Sequence, residues 1–399
     1  MKLLEGMTVL DLTRAIAGPY ATLFLGDLGA KVIKIENPQD PDFIRDYTPY
    51  VGEEGNQFSA SFAQYNRNKL GITLNLRKPE AQEIFKELVK KADVVVENYR
   101  PGVMEKFGLD YESLRKINPK IVYAAISGYG QDGPYKKRPA FDGNSQALSG
   151  LWSLNGYPEH TPVKVGTIIS DLVGGLFGTI GIIGAYHYAQ KTGTGQMVDV
   201  AQLDASLAIT GYAIPKYTAG GIISGGSGNE DAIASPFELF KSKDGNIFFG
   251  GFKDNFIQVI CEFFGEPDFL KENGLENMLD RFDQDNYKNI IKPKLDEWFS
   301  RYTSAELEDA LADITPLSPI KNIAQAVVDP QIQAREMMVK NMYPEGLIET
   351  FGLPIKLSET PGDTSGLAPK LGQHNKEIYG KLLAMDEKQM KLLSEKGVI

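Results

Sequence analysis

Apolar and polar positions along the first half of the chain alternate between two periods. Short apolar runs mark buried strands at Thr8 to Leu12 (TVLDL), Lys31 to Ile35 (KVIKI), Val94 to Val96 and Ile121 to Ile126 (IVYAAI). Ile72 to Leu76 (ITLNL) alternates with period two. An apolar, helix-like stretch runs from Ala17-Gly18-Pro19 to Leu28. Glu80 to Lys91 carries apolar residues at helical spacing, and Pro79 suits its first turn. Repeated strand–helix alternation predicts an α/β fold, a parallel sheet with helices on both faces.

The pattern changes after about Tyr217. Glycines at 220, 221, 225, 226 and 228, interleaved with serine, make a flexible crossing. The segment SPFELFKSKDGNIFFGGF then reads as two strands joined around Lys243-Asp244-Gly245, a hairpin signal. Helical spacing follows over Asn255 to Phe264, Tyr287 to Tyr302 and Ser304 to Ala312. These shifts divide the chain into residues 1–217, a small α+β domain over 225–330, and a return segment over 331–399 that ends in two helices. Thr167 to Gln190 is apolar for about the span of a bilayer. Asp171 near its start and glycines at 174, 175, 178, 181 and 184 favour a buried helix packed through its glycine face.

Composition narrows the function classes. With 399 residues, 42% hydrophobic and 24% charged, the chain is globular, not disordered, coiled-coil or collagen-like. Its 42 Lys+Arg against 52 Asp+Glu give a net charge of -10, which repels nucleic acid and anionic membrane. One cysteine, Cys261, excludes a disulfide framework. The three histidines, His160, His187 and His374, have no zinc-motif spacing, so no metal site is expected. The first residues, MKLLEGMTVLDLTR, carry an early acid and no long apolar run. That is unlike a signal peptide and makes cytoplasm the expected compartment.

The candidate chemistry lies after the strands. The first turn, Arg14 to Pro19, holds only Gly18 of the three glycines that a dinucleotide site needs, so NAD is not expected even though Glu36 ends the second strand. Basic residues gather in loops: Arg67, Lys69, Arg77, Lys78, Arg100, Lys106, Lys136, Lys137 and Arg138. Loops after parallel strands share one edge, and several cations there suit a phosphate-bearing ligand. Asp171 supports two readings. It is an N-cap, or it is a carboxylate nucleophile whose charge a helix N-terminus favours and which the following glycines leave accessible. The glycine-rich loop Ser127 to Pro134 follows a strand and suits either a ligand or a plain turn.

Together, LLEGMTVLDLTRAIAGPYATLFLGDLGAKVIKIENP, NRNKLGITLNLRKPEA, ADVVVENYRPGVMEKFGLDYESL, NPKIVYAAISGYGQDGP, PAFDGNSQALSG, IISDLVGGLFGTIGIIGAYHY, TGTGQMVDVAQLDA and LGQHNKEIY resemble the class III CoA-transferases, the formyl-CoA transferase and carnitine CoA-transferase family. The resemblance covers nearly the whole chain. It implies a large Rossmann-like domain built from both chain ends, a small domain, and an interlocked, ring-shaped homodimer. It implies CoA transfer between acyl-CoA and a carboxylic acid, through aspartyl anhydride and aspartyl-CoA intermediates, with CoA as substrate and no resident cofactor. The nucleophile would be Asp171. CoA contacts would fall on Ile16, Ala17, Asn37, Leu74, Asn75, Arg77, Asn98, Tyr99, Arg100, Lys106, Lys137, Arg138 and Asp142. Asn37, Ile16 and Phe141 stand where some members carry Arg, Gln and Tyr, and the long shielding glycine loop lacks a full counterpart, which disfavours oxalate or formate. An α-methylacyl-CoA racemase would carry histidine at Phe141; that reading and a non-catalytic CoA-binding protein are the alternatives.

Overall fold

The computed structural model describes residues 2–231 and 234–399. The chain forms two compact units: Met1–Trp152, Lys164–Gly220 and Pro330–Ile399 make the first, Ser153–Val163 and Gly221–Asp329 the second. The first unit is built on six parallel strands: β1 (Thr8–Asp11), β2 (Lys31–Glu36), β3 (Lys69–Thr73), β4 (Val94–Glu97), β5 (Val122–Ser127) and β6 (Met197–Ala201). Their order across the sheet is β3-β2-β1-β4-β5-β6, the doubly wound arrangement. β4 and β5 are buried at every residue, which explains why they read as continuous apolar runs rather than alternating ones.

Alternate residues of each strand feed two cores. Val9, Val32, Val94 and Val122 pack under α1 (Ala17–Asp27) and α4 (Ile169–Thr192). Leu10, Ile33, Val95 and Tyr123 pack under α2 (Pro79–Val89) and the C-terminal residues Ile378, Tyr379, Val398 and Ile399. The Tyr379 hydroxyl donates to the Thr73 carbonyl (2.6 Å), so the chain end closes the sheet beside β3. Two shorter helices, α3 (Asp142–Leu148) and α5 (Gln202–Ala208), pack on each other and on α4.

Three sequence expectations shift. β3 starts at Lys69, three residues before the expected Ile72, because Lys69 is fully buried against Asp11 (3.0 Å) and a charged residue does not read as core. β6 does not read as a core strand because only Ala201 of its five residues is buried and Asp199 interrupts its short apolar run. The return segment carries an unforeseen hairpin, Met338–Tyr343 with Gly346–Phe351.

In the second unit, a three-stranded antiparallel sheet (Glu238–Lys241, Asn246–Phe249 and Leu317–Pro319) packs with helices Asp254–Phe263, Lys292–Phe299 and Ser304–Leu311 around Trp298, Phe240 and Phe249. Ser153–Val163 belongs here rather than with residues 1–217. Gly228 N–H donates to the Gly156 carbonyl (2.7 Å) and Asn229 Nδ2 to the Tyr157 hydroxyl (2.9 Å), which tie the two segments together.

Candidate active site

In a doubly wound sheet the crevice lies where strand order reverses, beyond the carboxyl ends of the two central strands. Here those strands are β1 and β4. The turn after β1 lacks the glycines of a dinucleotide loop and is held by side chains instead. Asp11 accepts from Thr13 N–H (2.9 Å). Lys34 Nζ donates to the Thr13 carbonyl (2.9 Å) and pairs with Asp42 (3.0 Å), both side chains being fully buried. Asp42 in turn accepts from Ala15 N–H (3.0 Å). Asn98, just past β4, accepts from Arg14 N–H (2.9 Å) and donates to the Arg14 carbonyl (2.7 Å). These bonds keep Ala15 in the left-handed region at φ 63°. They also fix the start of α1.

Asp171 is the third residue of α4, and it is not the N-cap; Ile168 occupies that position without a side-chain cap. The capping task falls to Asp142, whose Oδ1 accepts from Ser170 N–H (2.8 Å) and whose Oδ2 accepts from Gln146 (2.7 Å). The Asp171 carboxylate therefore stays available to the cavity it lines. Burial, and secondarily the Asp142 charge, push its pKa up to about 7, against the lowering effect of a hydrogen bond from Gln202. Glycines bring α4 close: a Cβ at Gly175 would lie 2.7 Å from the Ala17 carbonyl oxygen, and one at Gly178 would lie 2.6 Å from Ile126. The opposite side of α4 is less buried than the sequence suggests, since Leu176, Phe177, Ile180 and Tyr188 are exposed. Among the described residues α4 is the one helix long and apolar enough to cross a membrane, and its glycine side packs against α1 and β5 within the unit.

The cavity around Asp171 has a volume of about 280 Å³. Ala17, Asn98, Tyr99, Arg100 and Arg138 line it, with Arg14, Lys136 and Gln202 beside them. Arg100, Lys136 and Arg138 form no salt bridge among the described residues, and Arg138 stacks on Tyr135 (3.6 Å). A second cavity of about 220 Å³ is lined by Asn37, Leu74, Asn75, Arg77 and Tyr99. Arg14 and Tyr99 border both, so the two form one run along the carboxyl edge. Ile16 packs against the apolar group around Phe62 and lines neither cavity. Lys106 and Lys137 are exposed outside both walls, and Asp142 is buried behind the first. Arg67 and Lys69 leave the cationic edge altogether, because each is buried on an aspartate, Asp27 at 2.6 Å and Asp11 at 3.0 Å.

Sequence reasoning overlooked Arg14, Lys34, Asp42 and Gln202. Arg14 stands in the first turn, which the sequence reading weighed only for its missing glycines. The other three became visible only through their partners. Among the described residues no group of acids, histidines and cysteine is arranged to hold a metal ion, and none of the three histidines lines either cavity.

A model described as CoA-transferase family III matches residues 4–375. The acetyl-CoA:oxalate CoA-transferase of Acetobacter aceti is 35% identical over 96% of this chain and 97% of its own length. The succinyl-CoA:mesaconate CoA-transferase of Haloarcula marismortui is 34% identical over 95% and 96%. A crystal structure of a CAIB/BAIF family protein from Brucella suis superposes with a TM-score of 0.86 at 32% identity, covering 96% of this chain and 99% of that one.

Proposed function

This chain belongs to CoA-transferase family III and is a CoA-transferase acting between carboxylic acids; from that premise we propose that the transfer runs through covalent intermediates on Asp171. One observation carries the reading: a carboxylate without a capping duty faces a cavity ringed by Arg14, Arg100, Lys136 and Arg138.

Asp171 attacks the thioester carbonyl of the donor, the C–S bond breaks, and the electron pair leaves on the CoA thiolate. The product is a mixed anhydride between the acyl group and Asp171. The thiolate then attacks the aspartyl carbonyl, which releases the first acid and leaves aspartyl-CoA. The acceptor carboxylate and the thiolate repeat the two steps in reverse. Anhydride and thioester both stay activated, so no ATP enters. Water must stay out, since each intermediate hydrolyses.

The cations of the first cavity suit the pyrophosphate end of the pantetheine arm and the acid's carboxylate, and the second cavity suits the nucleotide. Arg77 stands at its mouth, 72% exposed and 3.7 Å from Asp40. Oxalate and mesaconate, the acids of the two relatives named above, are both dicarboxylates. The cavity cations support an acid with a second negative charge as acceptor, although Phe141 on the same cavity wall leans toward an apolar chain. The alternative racemase chemistry needs an acid and a base on opposite faces of the α-carbon; the exposed Phe141 supplies neither.

We further propose a homodimer in the cytoplasm. The support for the dimer is the row of apolar side chains on α4, with Ile180 65% exposed, and the exposed Tyr212 and Tyr217 beyond α5.

The test of the covalent route is Asp171→Ala. Transfer should fall by at least about 10³-fold, as for loss of a nucleophile. Hydroxylamine added after acyl-CoA should mark Asp171 as a hydroxamate in a peptide mass spectrum. Substantial transfer by the variant would defeat the assignment.

A further inference from the structure

Gln202 is the first residue of α5, 7% exposed, and its side-chain amide makes the only hydrogen bond to the Asp171 carboxylate among the described residues, donating to Oδ1. Three features aim it there. Ala201, the residue before it, ends β6, and Leu203 N–H is tied to the Gly128 carbonyl (3.1 Å). The Gln202 carbonyl accepts from the Ser206 hydroxyl (2.7 Å), which also bonds Ser170 (2.7 Å) on α4. A Cβ at Gly174 would lie 3.3 Å from Gln202 Cγ, so this glycine leaves the side chain its path to the carboxylate. Both residues line the first cavity.

Resting on Asp171 as the nucleophile, we propose that Gln202 is the hydrogen-bond donor to the oxyanion that forms at the aspartyl carbonyl. When Oδ2 attacks the thioester, Oδ1 becomes the carbonyl oxygen of the anhydride and keeps its bond from Gln202. When the thiolate attacks that carbonyl carbon, the C=O electron pair moves onto Oδ1. The negative charge then sits on the atom facing the amide. Collapse of this adduct restores the C=O bond and expels the first acid as its carboxylate, with no proton transferred. A donor already in place costs no reorganisation as charge develops in a site screened from water. The same amide stabilises ionised Asp171 before reaction, so one side chain both poises the nucleophile and serves its adducts.

The test uses the full-length enzyme with acetyl-CoA or succinyl-CoA and a working acceptor acid. In Gln202→Leu, kcat should fall about 10²- to 10³-fold, the loss typical of one oxyanion donor. CoA affinity by calorimetry should be unchanged. Loss of the bond that lowers the Asp171 pKa should move the acid limb of the kcat/KM profile to higher pH. Gln202→Met, with a flexible chain of similar length, should repeat both effects with less disturbance of packing. Near-normal kcat in both variants, with Asp171→Ala inactive, would overturn this role for Gln202 and leave the nucleophile standing. A fall in kcat accompanied by weaker CoA binding and lower melting temperature, with the pH limb unmoved, would also overturn it. An active Asp171→Ala would instead remove the reading on which it rests.

Discussion

Burial pushes the Asp171 pKa up to about 7, and that shift has two consequences. Attack needs the carboxylate, so kcat/KM should fall tenfold per pH unit below about pH 7 and level off above it. A pH profile checks this. The second consequence concerns stability. A carboxyl whose folded pKa lies above its unfolded value of 3.8 makes the fold bind the extra proton. Its contribution therefore destabilises progressively as pH rises from about 4 to about 7. Asp171→Asn should raise the melting temperature more at pH 8 than at pH 5, in thermal scans at both. Lys34 and Asp42 illustrate the opposite balance. Burial alone would lower the Lys34 pKa, but Asp42, Glu36 and Asp11 together outweigh it and raise it. Lys34→Met should cost about 3–5 kcal/mol, because it strands buried Asp42 without its partner. Urea unfolding measures that loss. The Lys34–Asp42 pairing was not legible beforehand. Lys34 reads as the polar member of a strand, and its partner lies eight residues on, past the strand's end.

At the scale of elements, the glycines of α4 are not equivalent. Gly175 faces the Ala17 carbonyl, where a Cβ would lie 2.7 Å from the oxygen, whereas nothing lies within 4 Å of a Cβ at Gly184. Gly175→Ala should destabilise by about 1–3 kcal/mol, the usual scale of overpacking, and should lower kcat as Asp171 shifts with its helix. Gly184→Ala should stabilise by about 0.5–1 kcal/mol, since alanine loses less backbone entropy in a helix interior. Melting curves and kcat for the pair separate the two. The glycine repeat correctly announced close packing, but which glycines touch something depends on the crossing with α1 and β5. The β1–α1 turn teaches a similar lesson. Missing glycines argued against NAD, and the structure reaches a tight turn another way, with buried charges gripping its backbone.

Over the whole molecule, a net charge of -10 coexists with a cationic rim. Arg100→Gln and Arg138→Gln should raise KM for acyl-CoA with little change in kcat, and the wild-type KM should rise with salt as screening weakens the rim. Steady-state kinetics across ionic strength reports both. If the apolar side of α4 meets a second copy, light scattering should give twice the chain mass, and a monomer at working concentration would oppose the dimer. The sequence by itself determined the alternating strands and helices, the second unit's hairpin, the family resemblance and Asp171 as the residue to examine, because apolar runs, turn residues and contiguous motifs are local signals. Tertiary structure alone decided that Asp142, not Asp171, caps α4, that Arg67 and Lys69 are buried while Arg14 faces the crevice, and that Gln202 reaches the carboxylate from 31 residues away. A charge's role is set by whether water or a partner surrounds it. Partners from distant strands meet only when the sheet closes.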